Sequence, residues 1–243
     1  MARKGRARLR LLTDELARAH PSLGDPAAAI ARGEVAVDGI VVRNPASQVR
    51  AGSSITLTRR RTLRGEAKLA AALAAFGIDP RGGVALDVGA AAGGFTLALL
   101  ASGAVRVYAV DAGHGELLGS LRQNARVVVL ERTNLAQLDR SKIPEPVHIV
   151  TLDLSYLALA AAVPQLAGVT FAPGCEMLAL VKPQYELGLA APPHDAAGLR
   201  AAVERASAGI ADAGWAVCDS IRSPHAGGRG AIEFFIHARR ADS

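Results

Sequence analysis

The stretch VALDVGAAAGGFT, residues 84–96, decides the fold of this chain. VALDV is an apolar run interrupted only by Asp87, as expected of a parallel strand buried on both faces. The glycine-rich turn after it opens a helix, where small residues and free backbone N–H groups let a ligand approach closely. A strand, a glycine-rich turn and a helix in this order predict the first unit of a doubly wound α/β sheet. The turn is not a phosphate loop, because no Lys-Ser or Lys-Thr follows its glycines.

More runs of strand length follow this first unit, and they alternate with segments long enough for a helix. The runs are VRVYAV at 105–110, RVVVL at 126–130, VHIVTL at 147–152 and EMLALV at 176–181. A helix over 65–76 precedes the sheet, ends at Gly77, and a later one covers 196–213. The last two runs, WAVCDSI at 215–221 and AIEFFIHA at 231–238, are joined by a loop rich in Pro and Gly. They predict an antiparallel pair at one edge of the sheet.

The first 60 residues predict a separate small α+β domain. A helix is expected over 6–19, and Asp25-Pro26 begins a second helix that runs to Arg32. Two β-branched runs flank Asp38-Gly39, which is a strong signal for a hairpin with a type I′ turn. A last strand covers 54–58. We therefore expect a domain over 1–60, a linker over 61–67 and the α/β domain over 68–243.

The positive charge of the chain is concentrated at this end. Residues 1–70 hold 14 Lys and Arg against 6 Asp and Glu, a net +8, whereas residues 71–243 hold 14 against 16, a net −2. This asymmetry favours an RNA-binding module, although a solvated surface would also explain it. The candidate RNA-binding residues are Arg3, Lys4, Arg6, Arg8, Arg10, Arg59, Arg60, Arg61 and Arg64.

Composition excludes several other classes of protein. Two cysteines, Cys175 and Cys218, provide neither a disulfide framework nor a Cys-rich zinc site. The uncharged stretches 88–105 and 154–175 contain Gly and Pro residues that interrupt a spanning helix. The basic N-terminus lacks the apolar length of a signal peptide. We expect a cytoplasmic protein without a membrane span.

Polar residues stand at the ends of successive predicted strands, namely Asp87, Asp111, Asn134, Asp153 and Lys182. Ligands bind at the carboxyl ends of the strands in an open α/β sheet. Asp111 is placed to accept the ribose hydroxyls of NAD or S-adenosylmethionine, unless it only caps a helix. Thr133 or Asn134 could lie at the edge of an adenine.

Lysine is rare, and its positions are informative. Of the 28 basic residues only four are lysine, at positions 4, 68, 142 and 182. Lysine can lose its proton in a suitable environment, whereas arginine effectively cannot. Lys182, between a buried strand and a proline, is therefore a candidate titrating amine. Lys68 is either its partner or an ordinary lysine of an amphipathic helix.

In order along the chain, ALDVGAAAGGFT, VYAVDAGHGEL, RVVVLERTN, LDLSY, ALVKPQYELG and IEFF resemble the TlyA (hemolysin A) group of the FtsJ-like 2′-O-methyltransferases. The resemblance covers nearly the whole chain. It implies a class I, Rossmann-like methyltransferase sheet with an antiparallel last strand, preceded by an S4-like RNA-binding domain. It also implies transfer of a methyl group from S-adenosylmethionine to a cytidine 2′-hydroxyl of ribosomal RNA, with ribosomal subunits as partners.

The resemblance assigns site residues as well. The family's K-D-K-E tetrad corresponds to Lys68, Asp153, Lys182 and Glu233. In that arrangement Lys182 takes the proton of the hydroxyl while the two carboxylates orient the amines, and no metal is needed. The expected cofactor-binding residues are Asp87, Gly89, Ala90, Gly93, Gly94, Phe95, Thr96, Asp111, Thr133, Asn134 and Asp153.

Three alternatives stay open at this point. The chain could be an RNA-binding assembly factor of the same fold without turnover, a membrane-active hemolysin, or a NAD-dependent oxidoreductase. The missing apolar helices argue against the second, and the terminal antiparallel pair argues against the third. Calorimetry with S-adenosylmethionine, NAD and ATP would separate these classes.

Overall fold

The computed structural model describes residues 9–31, 33–57 and 62–240. It divides the chain into two compact units, Met1–Thr62 and Leu63–Ser243. The sequence placed a linker at 61–67, but helix α3 already begins at Arg64. The last residues of the predicted linker therefore form the first turn of a helix.

The first unit consists of short elements around a small core. Its elements are β1 (Leu9–Leu11), α1 (Leu12–Ala19), α2 (Pro26–Ala31), β2 (Val35–Val37), β3 (Ile40–Val42), β4 (Gln48–Arg50) and β5 (Ile55–Leu57). Strands β3, β2 and β5 form an antiparallel sheet in that order, and β1 pairs with β4. The core contains Leu12, Leu16, Ala29, Ile30, Val35 and Val49.

The predicted hairpin is confirmed, since Asp38 and Gly39 have φ of 50° and 82°, the positive values that a type I′ turn requires. Helix α2 begins after Asp25, whose Oδ1 accepts the Ala28 N–H at 2.9 Å. The helix predicted over 6–19 is wrong at its start, because Leu9–Leu11 form β1 and the helix begins at Leu12. The partner strand β4 has a single apolar residue, Val49, and so gave no strand signal.

The second unit contains a sheet with helices on both faces. Its first half contains α3 (Arg64–Phe76), β6 (Val84–Val88), α4 (Gly94–Ala101), β7 (Arg106–Val110), α5 (Gly119–Arg122) and β8 (Val127–Leu130). Its second half contains β9 (Val147–Leu152), α6 (Leu159–Ala162), β10 (Phe171–Val181), α7 (Pro183–Glu186), α8 (Ala196–Asp212), β11 (Trp215–Arg222) and β12 (Phe234–Arg240).

The order of the seven strands is β11-β12-β10-β9-β6-β7-β8. Strands β6 to β10 are all parallel to one another, whereas β12 lies between β10 and β11 and is antiparallel to both. The predicted α/β sheet with an antiparallel last strand is therefore confirmed. The chain reverses its direction of winding between β6 and β9, so their carboxyl ends form the crevice in which ligands bind in such sheets.

The alternation of side chains along β6 separates the two cores. Val84, Leu86 and Val88 face the cluster that includes α6 and α8. Ala85 faces the cluster formed with α3, α4 and α5. Because successive residues of a strand point to opposite faces, β6 is covered on both sides, which explains its unbroken apolar sequence.

The largest differences between the predicted and the observed strand boundaries occur in β10 and β12. Strand β10 begins at Phe171, five residues before the predicted start, and passes an irregularity between Phe171 and Glu176 that includes Pro173 and Gly174. Strand β12 begins at Phe234, so Glu233 lies just before the strand. Turn residues inside a strand hide its true extent from a reading of local sequence.

Candidate active site

Two lysine–carboxylate pairs lie at the carboxyl edge of the sheet. Lys68 Nζ donates a hydrogen bond to Glu233 Oε2, joining α3 to the residue before β12. Lys182 Nζ lies 2.6 Å from Asp153 Oδ1, joining the end of β10 to the end of β9. The four residues that the sequence analysis grouped thus form two lysine–carboxylate pairs, and each pair joins elements that are distant in sequence.

The pair formed by Lys68 and Glu233 is buried, with residue exposures of 5% and 3%. A methyl group on Gly227 would lie 2.1 Å from Glu233 Oε1, so the glycine-rich loop closes directly on this carboxylate. The Ser223 N–H donates to the Glu233 carbonyl at 2.8 Å and fixes the same segment from the other end of the loop. A side chain at position 227 would therefore displace the Glu233 carboxylate from its present position.

The pair formed by Lys182 and Asp153 is more accessible, with side-chain exposures of 13% and 25%. Lys182 Nζ also donates to Ser155 Oγ at 2.8 Å. The contact with Asp153 is an ion pair by distance, although its angles fall outside hydrogen-bond geometry. Both partners of Lys182 therefore come from the segment that follows β9.

Three clefts meet around these pairs. The Asp111 cleft, about 200 Å³, is lined by Val88, Gly89, Ala91, Val110, Asp111, Ala112, Glu116, Thr133, Leu135, Asp153, Leu154, Ser155 and Tyr156. The Lys68 cleft, about 330 Å³, is lined by Leu63, Arg64, Gly65, Lys68, Gly89, Ala90, Ala91, Ala92, Gly94, Phe95 and Asp153. The Lys182 cleft, about 530 Å³, includes Ser155, Lys182, Gln184, Tyr185, His194 and Glu233. Asp153 lines the first two clefts, and Ser155 lines the first and the third.

The Asp111 carboxylate organises the glycine-rich turn. Its Oδ2 accepts the Ala91 N–H at 2.8 Å, and its Oδ1 accepts the Gly113 N–H at 2.7 Å. Each carboxylate oxygen keeps acceptor capacity beyond these bonds. Burial and, to a smaller extent, the charge of Asp111 raise the pKa of Tyr156, which lines the same cleft.

Close packing of two helix starts places Lys68 beside this turn. A methyl group on Gly94, at the start of α4, would lie 2.9 Å from Gly65 Cα in the first turn of α3. A side chain at position 94 would push the two helices apart. Lys68, one turn after Gly65, consequently reaches the same cleft as the glycine-rich turn.

Asp87 lies beneath the site rather than in it. Its side chain is fully buried, and it accepts hydrogen bonds from Thr96 Oγ1 at 2.6 Å and from Thr151 Oγ1 at 3.0 Å. Burial raises its pKa to about 6. Asp87 and Thr96 therefore tie β6, α4 and β9 together under the glycine-rich turn, and neither lines the Asp111 or Lys68 cleft.

Replacing Asp87 with asparagine should change how stability depends on pH. The pKa is raised from 3.8 to about 6, so the folded state binds the proton more tightly than the unfolded chain between these values. The contribution of Asp87 to stability should therefore fall by about 2–3 kcal/mol as pH rises from 4 to 7, and Asp87→Asn should lack this contribution. The free energy of unfolding, followed by fluorescence of the single tryptophan Trp215, measures it.

The control for that experiment is Asp79→Asn, which changes an exposed carboxylate that accepts the Arg81 N–H. This variant should keep the wild-type dependence on pH. Identical curves for Asp87→Asn and wild type would contradict the role of burial.

The remaining predicted cofactor residues divide into two groups. Gly89, Ala90, Gly94, Phe95, Asp111, Thr133 and Asp153 line the Asp111 or Lys68 clefts. Gly93 packs against Leu121, and Asn134 is exposed at the start of a short 3₁₀ helix, where its N–H donates to Gln137 Oε1. Neither of these two is among the residues that line the two clefts.

Most of the predicted RNA-binding residues, Arg3, Lys4, Arg6, Arg8, Arg59, Arg60 and Arg61, lie outside the described residues. Arg10 forms an ion pair with Glu15 at 2.9 Å. Arg64 is exposed and lines the Lys68 cleft. RNA binding by these residues stays a prediction.

The sequence analysis missed Glu186, whose Oε1 accepts the Leu159 N–H at 2.7 Å. This buried carboxylate joins α7, which follows Lys182, to α6, which follows Asp153 and Ser155. Burial raises the pKa of Glu186. An acidic residue four positions after Lys182 was the available signal, but its partner is 27 residues away in sequence.

The clefts suit an amphipathic cation that carries a ribose. Apolar side chains of Val88, Val110, Leu135 and Leu154 line the Asp111 cleft together with carboxylates from Asp111, Glu116 and Asp153. A ribose diol and a sulfonium are complementary to such a lining, because carboxylates accept from hydroxyls and attract positive charge. With the strand order described above, these features define the class of S-adenosylmethionine-dependent methyltransferases.

Comparison with known proteins identifies the family. The model of the FtsJ-like methyltransferase family matches residues 62–240. The chain is 36% identical to the 16S/23S rRNA (cytidine-2′-O)-methyltransferase TlyA of Mycobacterium tuberculosis, over 98% of this chain and 91% of that protein. A structure described as a hemolysin from Streptococcus thermophilus has a TM-score of 0.71 and 30% identity, covering 95% and 88%. The protein belongs to the FtsJ-like methyltransferases and, within them, to the TlyA group.

Replacing Asp111 with alanine should weaken binding of S-adenosylmethionine at least tenfold. The change removes a carboxylate from the cleft and frees the Ala91 N–H that holds the turn, and a hydrogen bond to a charged group contributes about 1.5–3 kcal/mol. Isothermal titration calorimetry measures the dissociation constant. Asp139→Ala, which alters an exposed carboxylate outside the three clefts, is the control. An unchanged constant in Asp111→Ala would reject this placement.

Proposed function

We propose that this methyltransferase modifies the ribose 2′-hydroxyl of a cytidine in ribosomal RNA. The observation that carries the proposal is the pairing of Lys68 with Glu233 and of Lys182 with Asp153 around clefts that share Asp153 and Ser155. A methyl-transfer site for a hydroxyl needs a proton acceptor next to the cofactor, and the amine of Lys182 in the Lys182 cleft supports this role. The names of the TlyA relatives support ribosomal RNA as the substrate.

The chemistry can be assigned to the chain's own residues. S-adenosylmethionine supplies an activated methyl group, so the protein mainly has to position and activate the hydroxyl. Lys182 Nζ accepts the hydroxyl proton as the bond from oxygen to the methyl carbon forms and the carbon–sulfur bond breaks. Before this step Lys182 has to release a proton, and solvent or the Asp153 carboxylate at 2.6 Å can receive it. Ser155 and Asp153 hold the amine in place.

Lys68 has a supporting role in this scheme. Its buried ammonium pairs with Glu233, and this pairing holds the ammonium charge at a fixed position in the Lys68 cleft. That charge favours the negative charge that develops on the ribose oxygen during transfer. The two lysines thus divide the work, one accepting the proton and the other stabilising charge.

The test is an assay with labelled S-adenosylmethionine and ribosomal subunits from a bacterium that lacks this modification. The proposal predicts that label enters ribosomal RNA and that nuclease digestion followed by mass spectrometry yields 2′-O-methylcytidine. A product methylated only on a base would overturn the assignment of the hydroxyl. No incorporation, with cofactor binding intact, would favour the non-catalytic assembly factor.

We also propose that the first unit binds the RNA substrate through phosphates, since residues 1–62 hold 12 Lys and Arg against 5 Asp and Glu, a net +7. A chain lacking residues 1–62 should bind S-adenosylmethionine with the wild-type constant but lose RNA affinity by more than tenfold. The full-length affinity should fall steeply as salt rises, because phosphate contacts release counterions. Fluorescence anisotropy with labelled ribosomal RNA fragments measures the RNA affinity of both chains. Repeating it at salt concentrations from about 50 to about 200 mM gives the salt dependence. Affinity that is independent of salt would contradict the proposal.

The name hemolysin is given to several of the relatives, not to this chain. In the part of the chain that the structure describes, helices are too short or too polar to span a bilayer. We place the protein with its proposed substrate, the ribosomal RNA and ribosomal subunits, in the cytoplasm. Haemolytic activity has no observation in its favour here.

A further inference from the structure

Glu186 is a buried carboxylate that the proposed chemistry does not use. It is 2% exposed and is the last residue of α7, four residues after Lys182. Its Oε1 accepts the N–H of Leu159, the first residue of α6, at 2.7 Å. Leu159 is 1% exposed, so water does not compete for this hydrogen bond. Because an unpaired buried N–H costs free energy, the bond fixes the start of α6 to α7.

The start of α6 depends on Glu186 because the residue before the helix provides no cap. That residue is Ala158, which has no side-chain oxygen to accept a backbone N–H. Burial raises the pKa of the Glu186 carboxyl, and the N–H groups of Leu159 and Ala160 are among the weaker influences that lower it. A carboxylate from α7 thus takes the place of a local cap on α6.

Residues 153–158 connect β9 to α6 and carry both partners of Lys182. Lys182 Nζ lies 2.6 Å from Asp153 Oδ1 and donates to Ser155 Oγ at 2.8 Å. The Asp153 N–H donates to the last carbonyl of β6 at 3.0 Å, which attaches the start of this segment to the sheet. The carboxylate of Glu186 attaches its end to α7. The positions of both partners of the lysine therefore depend on the contact between α6 and α7.

The turn of α7 fixes Glu186 relative to Lys182. The N–H groups of Tyr185 and Glu186 donate to the Lys182 carbonyl at 2.9 and 3.3 Å. From Lys182 the connection runs through α7, across the bond to Leu159 and back along residues 153–158 to the lysine amine. A lysine side chain has a flexible four-carbon stem, so its amine keeps one position only when its partners are held in place.

We propose that Glu186 is a positioning residue for methyl transfer, which holds residues 153–158 against α7 and so keeps the Lys182 amine in place. The inference rests on the proposed function and adds a residue that acts through Lys182, since Glu186 lines none of the three clefts. Displacement of a reacting group by about 1 Å can lower a rate on the order of 100-fold. Loss of the hydrogen bond to Leu159 should therefore slow the chemical step while cofactor and RNA still bind.

The experiment compares wild type with Glu186→Gln and Glu186→Leu in single-turnover assays with saturating cofactor and ribosomal subunits. Glutamine keeps an oxygen that accepts the Leu159 N–H, so Glu186→Gln should stay within about threefold of the wild-type rate. Leucine has no acceptor, so Glu186→Leu should slow methyl transfer by more than about tenfold. The dissociation constants for S-adenosylmethionine and for RNA should stay within about twofold in both variants, because the clefts are unchanged.

The matched control is Glu176→Leu, which removes a partly buried carboxylate at the opposite end of the paired part of β10 from Lys182. Glu176 Oε1 accepts from Arg239 Nε at 3.0 Å, and its Oε2 lies 2.6 Å from His237 Nε2. This variant should lose thermal stability but keep the wild-type rate at a temperature where circular dichroism shows it folded. Amide hydrogen exchange at Leu159 should become faster only in Glu186→Leu.

Glu186→Met provides a second apolar replacement if the leucine variant does not fold. A wild-type rate in the folded Leu or Met variant would overturn the positioning role while leaving the proposed function intact. An equal loss of rate in Glu186→Gln or in Glu176→Leu would overturn it too, because the bond to Leu159 would not be the cause. A wild-type enzyme that forms no 2′-O-methylcytidine would instead refute the proposed function, and the inference with it.

Discussion

Replacing Lys182 with arginine should lower methyl transfer by more than about a hundredfold. Arginine keeps the positive charge beside Asp153 but effectively cannot accept a proton, and a general base typically contributes 10²–10⁴-fold. Binding of S-adenosylmethionine and of RNA should survive, because the charge of the site is unchanged. Single-turnover assays with saturating cofactor and ribosomal subunits measure the chemical step.

The matched control is Lys142→Arg, since Lys142 is half-buried, as Lys182 is, and donates to the Gln137 carbonyl outside the three clefts. This variant should keep wild-type turnover. If Lys182→Arg retains more than a tenth of the wild-type rate when chemistry is limiting, Lys182 acts only as a fixed charge. The proton would then leave to water or to Asp153.

Replacing Glu233 with glutamine should destabilise the second unit by about 3–5 kcal/mol. The change leaves the buried ammonium of Lys68 without its counter-charge, and a buried ion pair broken on one side costs that amount. Methyl transfer should fall as well, because Lys68 loses its fixed position. Chemical denaturation followed by the fluorescence of Trp215 gives the free energy of unfolding.

A double variant, Lys68→Met with Glu233→Gln, separates charge from packing. With both charges gone it should be more stable than Glu233→Gln alone, and it should stay inactive. Arg106→Met breaks a more exposed pair, with side-chain exposures of 44% and 37%, and should cost no more than about 1 kcal/mol. A loss in Glu233→Gln as small as that of Arg106→Met would show that the Lys68 pair does not stabilise the fold.

Local sequence predicted the sheet well because its strands are apolar on both faces. Val84–Val88 and Val147–Leu152 were predicted with the bounds that the structure has. The antiparallel end of the sheet also followed from sequence. The misses occur where long-range pairing decides the backbone, as in β1, or where turn residues lie inside a strand, as in β10.

The candidate site was predicted less completely. The sequence, through a resemblance, named Lys68, Asp153, Lys182 and Glu233, but it did not assign each lysine to one carboxylate. It also placed Asp87 among the ligand contacts, although Thr96 and Thr151 enclose it. The sequence pattern does not distinguish a polar residue just after a strand, which can line the cleft, from a polar residue inside the strand, which is buried.

The sequence by itself determined the order of the strands of the α/β sheet along the chain, the concentration of positive charge in residues 1–70 and the polar residues at the strand ends. These properties depend on neighbours along the chain and on composition. Only the tertiary structure decided that Glu233 pairs with Lys68, 165 residues away, and that Lys182 pairs with Asp153 and donates to Ser155. The partner of a side chain and its burial depend on atoms that the fold brings together from distant segments. A local sequence pattern does not contain this information.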